Sequence, residues 1–187
     1  PERLSNLQWI PGGEYYSYNI GDSIVITDLK GRENYISKDM LLKTDTSVQY
    51  MPYLKWQDEN IAIYFSGGKY RSFNRLTNKV SSLMGVPAEG ENQDPMYMTK
   101  SVAYTLENNL FISTSKKEKS VVSKSSDKNI VSGQAIHRFE FGISKGTFWS
   151  PSGNALAFYQ KDETDVADYP LLDITTTPGS LKSVKYP

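Results

Sequence analysis

The segment GISKG, residues 142–146, matches the G-x-S-x-G pattern that surrounds the nucleophilic serine of many hydrolases. In such enzymes the serine lies at a sharp turn between a strand and a helix, and the catalytic histidine follows it in the chain. Here the residues after Gly146 are typical of a strand and a turn, and the single histidine, His137, precedes Ser144. The sequence therefore predicts that Ser144 is a loop serine between two glycines, and we expect no catalytic residue in this chain.

Metal chemistry has few candidate ligands in this sequence. The chain has no cysteine, and His137 has no histidine or cysteine partner with which to form a zinc site. The acidic residues between Asp162 and Asp168 lack the spacing and the central glycine of a calcium-binding EF-hand loop. We expect neither a metal ion nor a cofactor.

Glu140 has the clearest potential for chemistry. It stands between Phe139 and Phe141. Strand alternation would turn both phenylalanines to the core and the carboxylate to solvent. Alternatively, the carboxylate lies in a semi-apolar cleft, where the low dielectric strengthens its pairing with a cationic group. The residues alone leave both interpretations open.

Short strands must position these residues, because strand signals dominate the sequence. Aromatic and β-branched residues cluster in short runs, and glycine, asparagine and proline lie between the runs. The clearest runs are 23–27, 61–65, 110–114 and 155–159. No long window has the apolar spacing of an amphipathic helix. These features predict an all-β fold.

Similar segments recur along the chain at intervals of about 40–50 residues, and each begins at an anchor that precedes a strand. The anchors are Trp9, Trp56, Met98 and Trp149. This period is typical of a β-propeller, whose four-stranded blades bury their faces against neighbouring blades. We predict a single domain over residues 1–187, a partial β-propeller of about four blades from a larger ring, with its last blade truncated. The alternative is a β-sandwich whose strands recur by chance.

The charge balance and hydropathy limit the partners of the chain. It has 21 basic and 21 acidic residues and a formal net charge of zero, so no global field attracts nucleic acid or an anionic membrane. No apolar run approaches the ~20 residues that span a bilayer, and no signal peptide is expected in this segment. The lysine-rich run 115–128 is predicted to form a hairpin exposed to solvent. Residues 86–95 are predicted to form an exposed connection between blades. We expect no nucleic-acid partner.

Residues 137–187 resemble the N-terminal β-propeller domain of dipeptidyl peptidase IV-like serine peptidases of the prolyl oligopeptidase clan, in particular the bacterial members. The resemblance is carried by FEFGISKGTFWSPSGNALAFYQKDETDV, a following Tyr-Pro-Leu stretch and the final Val-Lys-Tyr-Pro. It is looser over residues 7–80. It implies an eight-bladed propeller that precedes an α/β-hydrolase domain, which carries the Ser-Asp-His triad and is absent here. The implied activity of the parent enzyme is release of N-terminal X-Pro or X-Ala dipeptides.

The resemblance also implies residue roles. The family's glutamate motif, which grips the free α-amino group of the substrate, falls on Glu140, and Phe139 and Phe141 flank it as further substrate-binding candidates. Family members commonly have two adjacent glutamates, whereas this chain has one. Arg71 and Arg75 do not fit the place of a family arginine that contacts the substrate carbonyl.

The implied partners are a peptide with a free N-terminus, the hydrolase domain of the parent chain and, in a homodimer, a second copy. The implied location is periplasmic or secreted. Two alternatives to a peptidase domain are a non-enzymatic protein-binding propeller scaffold and an inactive member of the same peptidase family. Because an open propeller exposes two blade edges, we also expect the isolated segment to self-associate or to be marginally stable.

Overall fold

A computed structural model of the chain describes residues 4–136 and 140–185, and for Glu140 it describes the backbone. The chain divides into two compact units, Pro1–Ala88 with Ser113–Glu118 and Glu89–Ile112 with Lys119–Pro187. The prediction of one domain over residues 1–187 stays a prediction. No helix among the described residues is long and apolar enough to cross a membrane.

Three four-stranded antiparallel sheets follow one another along the chain, and within each sheet hydrogen-bonded neighbours are consecutive strands. The first sheet contains β1 (Ser5–Trp9), β2 (Tyr15–Ile20), β3 (Ser23–Asp28) and β4 (Glu33–Ser37). The second contains β5 (Lys55–Trp56), β6 (Ile61–Ser66), β7 (Lys69–Asn74) and β8 (Lys79–Gly85). The third contains β9 (Glu91–Met96), β10 (Ser101–Leu106), β11 (Asn109–Thr114) and β12 (Ser120–Ser123).

The rest of the described chain forms strand pairs and two short helical segments. The strands are β13 (Ile130–Ser132), β14 (Thr147–Trp149), β15 (Leu156–Phe158), β16 (Gln160–Asp162), β17 (Asp168–Asp173) and β18 (Ser180–Lys185). β13 pairs with β16, β14 with β15, and β17 with β18. The helical segments are α1 (Lys38–Leu42), capped by the Ser37 hydroxyl, and a 3-10 turn over Glu140–Gly142.

The core of the first unit lies between its two sheets. Apolar side chains from both sheets, from α1 and from the connection between the sheets are buried together there; they include Ile10, Ile24, Ile26, Ile36, Leu41, Leu54, Trp56, Ala62, Tyr64 and Phe73. The indole N–H of Trp56 donates to the Ser17 hydroxyl at 2.9 Å, so this polar atom is satisfied inside the core. Trp56 of β5 is thus packed against residues of the first sheet as well as its own.

The predicted class, all-β with successive antiparallel sheets, is confirmed. The four clearest predicted strands form β3, β6, β11 and β15, the last of them over Leu156–Phe158. The lysine-rich run begins in the tight turn between β11 and β12, where backbone N–H groups of Lys116 and Lys117 donate to the Thr114 hydroxyl.

The prediction for residues 86–95 is wrong in part, because Glu91 to Pro95 belong to β9. β9 is an edge strand of the third sheet, and an edge strand tolerates a proline that lacks an N–H for the ladder. Pro95 stands opposite Val102 of β10. Polar residues and a proline concealed a strand whose pairing is set by its neighbour and not by its own propensity.

The remaining anchors differ in their surroundings. Trp149 lies in β14, whereas Trp9 ends β1 and is 66% exposed. Met98 lies in the turn between β9 and β10 and is exposed, so it is not the counterpart of the buried Trp56.

Candidate functional site

Ser144 lacks the surroundings of a hydrolase nucleophile. It is exposed in an irregular stretch, and the chain after Gly146 enters strand β14 instead of a helix. A nucleophile elbow requires a strand before the serine and a helix after it. His137 lies outside the described residues. In the described structure Ser144 therefore does not lie at the strand–turn–helix junction of a nucleophile elbow.

Glu140, the predicted amino-group anchor, begins the 3-10 turn Glu140–Gly142. Its side chain and all of Phe139 lie outside the described residues. Phe141 has a φ of 55°, in the left-handed region, and is 87% exposed. A helical turn with an exposed Phe141 does not fit the strand-alternation interpretation, in which this ring faces the core.

Two described residues on either side of Glu140 in the sequence, Gln134 and Gly146, lie close together. A β-carbon on Gly146 would overlap the backbone of Gln134, so only glycine allows these two backbones to approach so closely. We call residues 134–146 the glutamate segment, and the contact between Gln134 and Gly146 its neck. The structure describes both ends of this segment.

Hydrogen bonds attach the neck to Tyr159, between β15 and β16, and to the turn between β10 and β11. The backbone N–H of Tyr159 donates to the Gly146 carbonyl at 2.9 Å, and the Gly133 N–H donates to the Tyr159 carbonyl at 2.8 Å. The Gln134 side-chain amide reaches the Glu107 carbonyl and the Asn108 side chain, each at 3.3 Å. Both ends of the glutamate segment are therefore hydrogen-bonded to other parts of the second unit.

Asp94 of β9 holds the residues that follow the glutamate segment. Its two carboxylate oxygens each accept from the Lys145 ammonium at 3.0 Å, and one of them also accepts from the Thr147 hydroxyl at 2.9 Å. Its backbone carbonyl accepts from the Trp149 indole at 2.9 Å. Asp94 was not predicted as a site residue, because the polar stretch 86–95 suggested an exposed connection.

A buried charged cluster lies in the first unit, around Asp45. The Asp45 carboxylate accepts from the Tyr64 hydroxyl at 2.8 Å and from the backbone N–H and hydroxyl of Ser47, and lies 2.8 Å from Nε of Arg71. Burial opposes its ionisation, but the hydrogen bonds and the Arg71 charge outweigh burial and hold the pKa of Asp45 below its usual value. Burial, together with the hydrogen bond to Asp45, raises the pKa of Tyr64.

The two arginines considered as substrate contacts are engaged within the first unit. Arg71 pairs with Asp45 and donates to the Ser47 hydroxyl at 3.2 Å. Arg75 donates to the Glu59 carbonyl, and its guanidinium lies 5.0 Å from the centre of the Tyr15 ring. The expectation that neither residue takes the place of the family arginine stays a prediction. Over the described part of the chain, no three His, Cys, Asp or Glu residues group as metal ligands.

Comparisons with known proteins all relate the chain to dipeptidyl peptidases and aminopeptidases. Residues 53–187 match the family described as the dipeptidyl peptidase IV (DPP IV) N-terminal region. Dipeptidyl aminopeptidase B of Saccharomyces cerevisiae is 28% identical over 160 residues, which are 80% of this chain and 18% of that protein.

Two solved structures share the fold. A candidate dipeptidyl aminopeptidase IV from Bacteroides ovatus is 35% identical with a TM-score of 0.82, and the match covers 100% of this chain and 26% of that one. The Porphyromonas gingivalis dipeptidyl peptidase 4 is 17% identical with a TM-score of 0.62, over 99% of this chain and 29% of that one, a likeness of fold alone. The chain thus spans less than a third of each of these relatives. By its match over residues 53–187, the chain belongs to the dipeptidyl peptidase IV N-terminal region family.

Proposed function

We propose that this chain is the substrate-gating, N-terminus-recognising part of a dipeptidyl peptidase IV-like exopeptidase that releases N-terminal X-Pro or X-Ala dipeptides. The family match over residues 53–187 carries this proposal. The chain covers 18% of the yeast relative and 26% of the Bacteroides ovatus protein, so the activity is that of a longer protein. In this account the Ser-Asp-His triad lies in a C-terminal α/β-hydrolase domain, and this chain supplies no catalytic residue.

The same proposal assigns the sheets to the blades of an eight-bladed β-propeller. Successive four-stranded antiparallel sheets support it, because that is the repeating unit of a propeller. Burial of Trp56 between the first two sheets supports it further, since blades are stabilised by contacts with their neighbours.

Glu140 is the proposed anchor for the α-amino group of the substrate. An ammonium group forms strong, charge-assisted hydrogen bonds with a carboxylate. Binding this remote group orients the scissile bond at the serine of the hydrolase domain. The exposed ring of Phe141 beside Glu140, and the closed neck of the glutamate segment, support a recognition role for this part of the chain.

Substitution of Glu140 in the full-length protein tests the assignment. We expect Glu140→Ala to lower kcat/KM toward X-Pro reporters by about 10- to 100-fold, because a hydrogen bond to a charged group contributes roughly 1.5–3 kcal/mol. The melting temperature is expected to stay unchanged. Glu118→Ala, in an exposed position of the lysine-rich hairpin, is the control. Wild-type kinetics for Glu140→Ala would contradict the assignment.

A second candidate is an inactive member of the family that binds peptides without cleaving them. It is favoured by Phe139, which occupies the position where the family motif commonly has a second glutamate. X-Pro reporter hydrolysis by the full-length protein distinguishes the candidates. Absence of turnover with retained binding of a free-amino peptide would favour the inactive member.

We further propose a periplasmic or secreted location and a homodimeric parent, both on the family resemblance. Cell fractionation and the mass of the full-length protein in solution test these two proposals.

A further inference from the structure

Asp94 connects the edge strand β9 to the chain that follows Glu140. It contacts Lys145 and Thr147 through its carboxylate and Trp149 through its carbonyl. These three residues are spaced two apart, which is the period that directs side chains to one face of an extended chain. A single residue of β9 therefore meets three side chains on one side of the segment 145–149.

Asp94 is more buried and has more hydrogen-bond partners than the carboxylate of an ordinary surface ion pair. The Asp94 side chain is 14% exposed; it accepts from the ammonium of Lys145, whose side chain is 50% exposed, and from the Thr147 hydroxyl. Thr147 is 1% exposed, and its hydroxyl would lose its acceptor without Asp94. An exposed pair that lacks these additional contacts contributes little.

Asp94 contacts the part of the chain that follows shortly after Glu140. Lys145 lies five residues after Glu140 in the chain. Gly146, the next residue, forms the neck with Gln134. Asp94 therefore fixes the backbone at the point where the glutamate segment ends and β14 begins.

Building on the proposed role of Glu140, we infer that Asp94 is a positioning residue for recognition of the substrate amino group. It acts by holding the end of the glutamate segment, and it touches no substrate. Because charge-assisted hydrogen bonds demand accurate placement, a small shift of this backbone weakens binding of a free N-terminus. The ligand concerned is the N-terminal ammonium group of a peptide.

Asp94→Asn in the full-length protein tests the inference. The asparagine carbonyl still accepts from Thr147, but the ion pair with Lys145 is lost. We expect KM for a free-amino X-Pro reporter to rise about fivefold, a change within the range of measured pairwise couplings, while kcat changes less than about twofold. The kcat/KM of the N-acetylated reporter, measured at raised enzyme concentration, is expected to stay constant.

A double-mutant cycle with Lys145 identifies the pair as the cause. Lys145→Met is expected to raise KM as Asp94→Asn does, and the double variant is expected to be no worse than either single variant. Lys145→Arg, which keeps the cation, is expected to retain the wild-type KM. The matched control is Asp22→Asn, which removes the 2.8 Å ion pair with Lys38 in the other unit and is expected to leave KM unchanged.

Two outcomes would overturn the inference. One is a wild-type KM for Asp94→Asn, and the other is an equal loss on the free and acetylated reporters, which indicates a general structural defect. If either outcome is found while Glu140→Ala lowers kcat/KM toward X-Pro reporters, the proposed function stands. If Glu140→Ala instead has the wild-type kcat/KM, the proposed function is overturned.

Discussion

At the scale of single residues, Asp45 is the most buried charged residue in the described part of the chain. It receives hydrogen bonds from Tyr64 and Ser47 and pairs with Arg71, so its charge is matched inside the first unit. Such a cluster is costly to break, because removal of the Asp45 carboxylate leaves the Tyr64 hydroxyl and the Arg71 charge without this acceptor.

We expect Asp45→Ala to lower the free energy of unfolding by about 3–5 kcal/mol, the usual cost of leaving a buried partner charge uncompensated. Tyr64→Phe removes one hydrogen bond from the same cluster and is expected to cost about 1–2 kcal/mol. Urea unfolding followed by tryptophan fluorescence measures both changes, since Trp56 lies in the same core. A loss below 1 kcal/mol for Asp45→Ala would contradict this reading of the cluster.

Gly146 is a second residue, after Asp45, whose replacement has a specific predicted effect. We expect Gly146→Ala to open the neck with Gln134, because a β-carbon has no room there, and to raise KM for free-amino substrates of the full-length protein. Gly85→Ala is the matched control, since its β-carbon would meet neighbouring atoms at 3.7 Å, an ordinary contact. Equal behaviour of the two variants would show that the neck has no functional role.

At the scale of strands and sheets, the sequence predicted those strands whose own residues favour β-structure. The β-branched runs of β3, β6 and β11 were predictable because they are central strands whose side chains are buried. β9 was not predictable, because an edge strand can be polar and contain Pro95 while its partner sets the pairing. Asp94, on that strand, was missed for the same reason.

The candidate site was predictable only in part. Glu140 was singled out by its position between two phenylalanines, and the resemblance gave it a role. The neck, in contrast, depends on a backbone contact between residues twelve positions apart. A glycine signals that close approach is possible, but it does not identify the other backbone.

Acid is expected to destabilise the sheets, because several aspartates that hold turns and strands have lowered pKa values. Hydrogen bonds from Lys182 and Thr175 lower the pKa of Asp173 to about 2, and the cluster around it lowers that of Asp45. A carboxylate with a lowered pKa in the folded state contributes stability above its unfolded pKa, about 4, and this stability is lost as the pH falls through the folded value.

The unfolding free energy is therefore expected to be constant from about pH 7 to pH 5 and to fall below about pH 4. Asp45→Asn is expected to reduce the slope of this decline. Urea unfolding at a series of pH values measures it, and a stability that rises toward low pH would contradict the assignment of these charges.

At the scale of the whole molecule, the chain leaves apolar surface on its outer strands. Leu7 and Trp9 of β1 are exposed, as are Leu172 of β17 and Ile174 beyond it. Exposed apolar patches on sheet edges favour association with other surfaces. In the proposed longer protein, neighbouring blades and the hydrolase domain are candidates to cover part of this surface.

The isolated segment is accordingly expected to self-associate. Light scattering over a range of concentrations measures this, and substitution of Trp9 and Leu172 by glutamate is expected to reduce the association. A single monomeric species with a cooperative melt for the unsubstituted segment would contradict the expectation.

The most direct measurement of the central claim is hydrolysis of an Ala-Pro reporter by the full-length protein, with a free and with an N-acetylated amino group. Recognition of the substrate ammonium by this domain predicts cleavage of the free form and at least about 100-fold slower cleavage of the acetylated form. Equal cleavage of both forms, or cleavage of neither, would contradict the account.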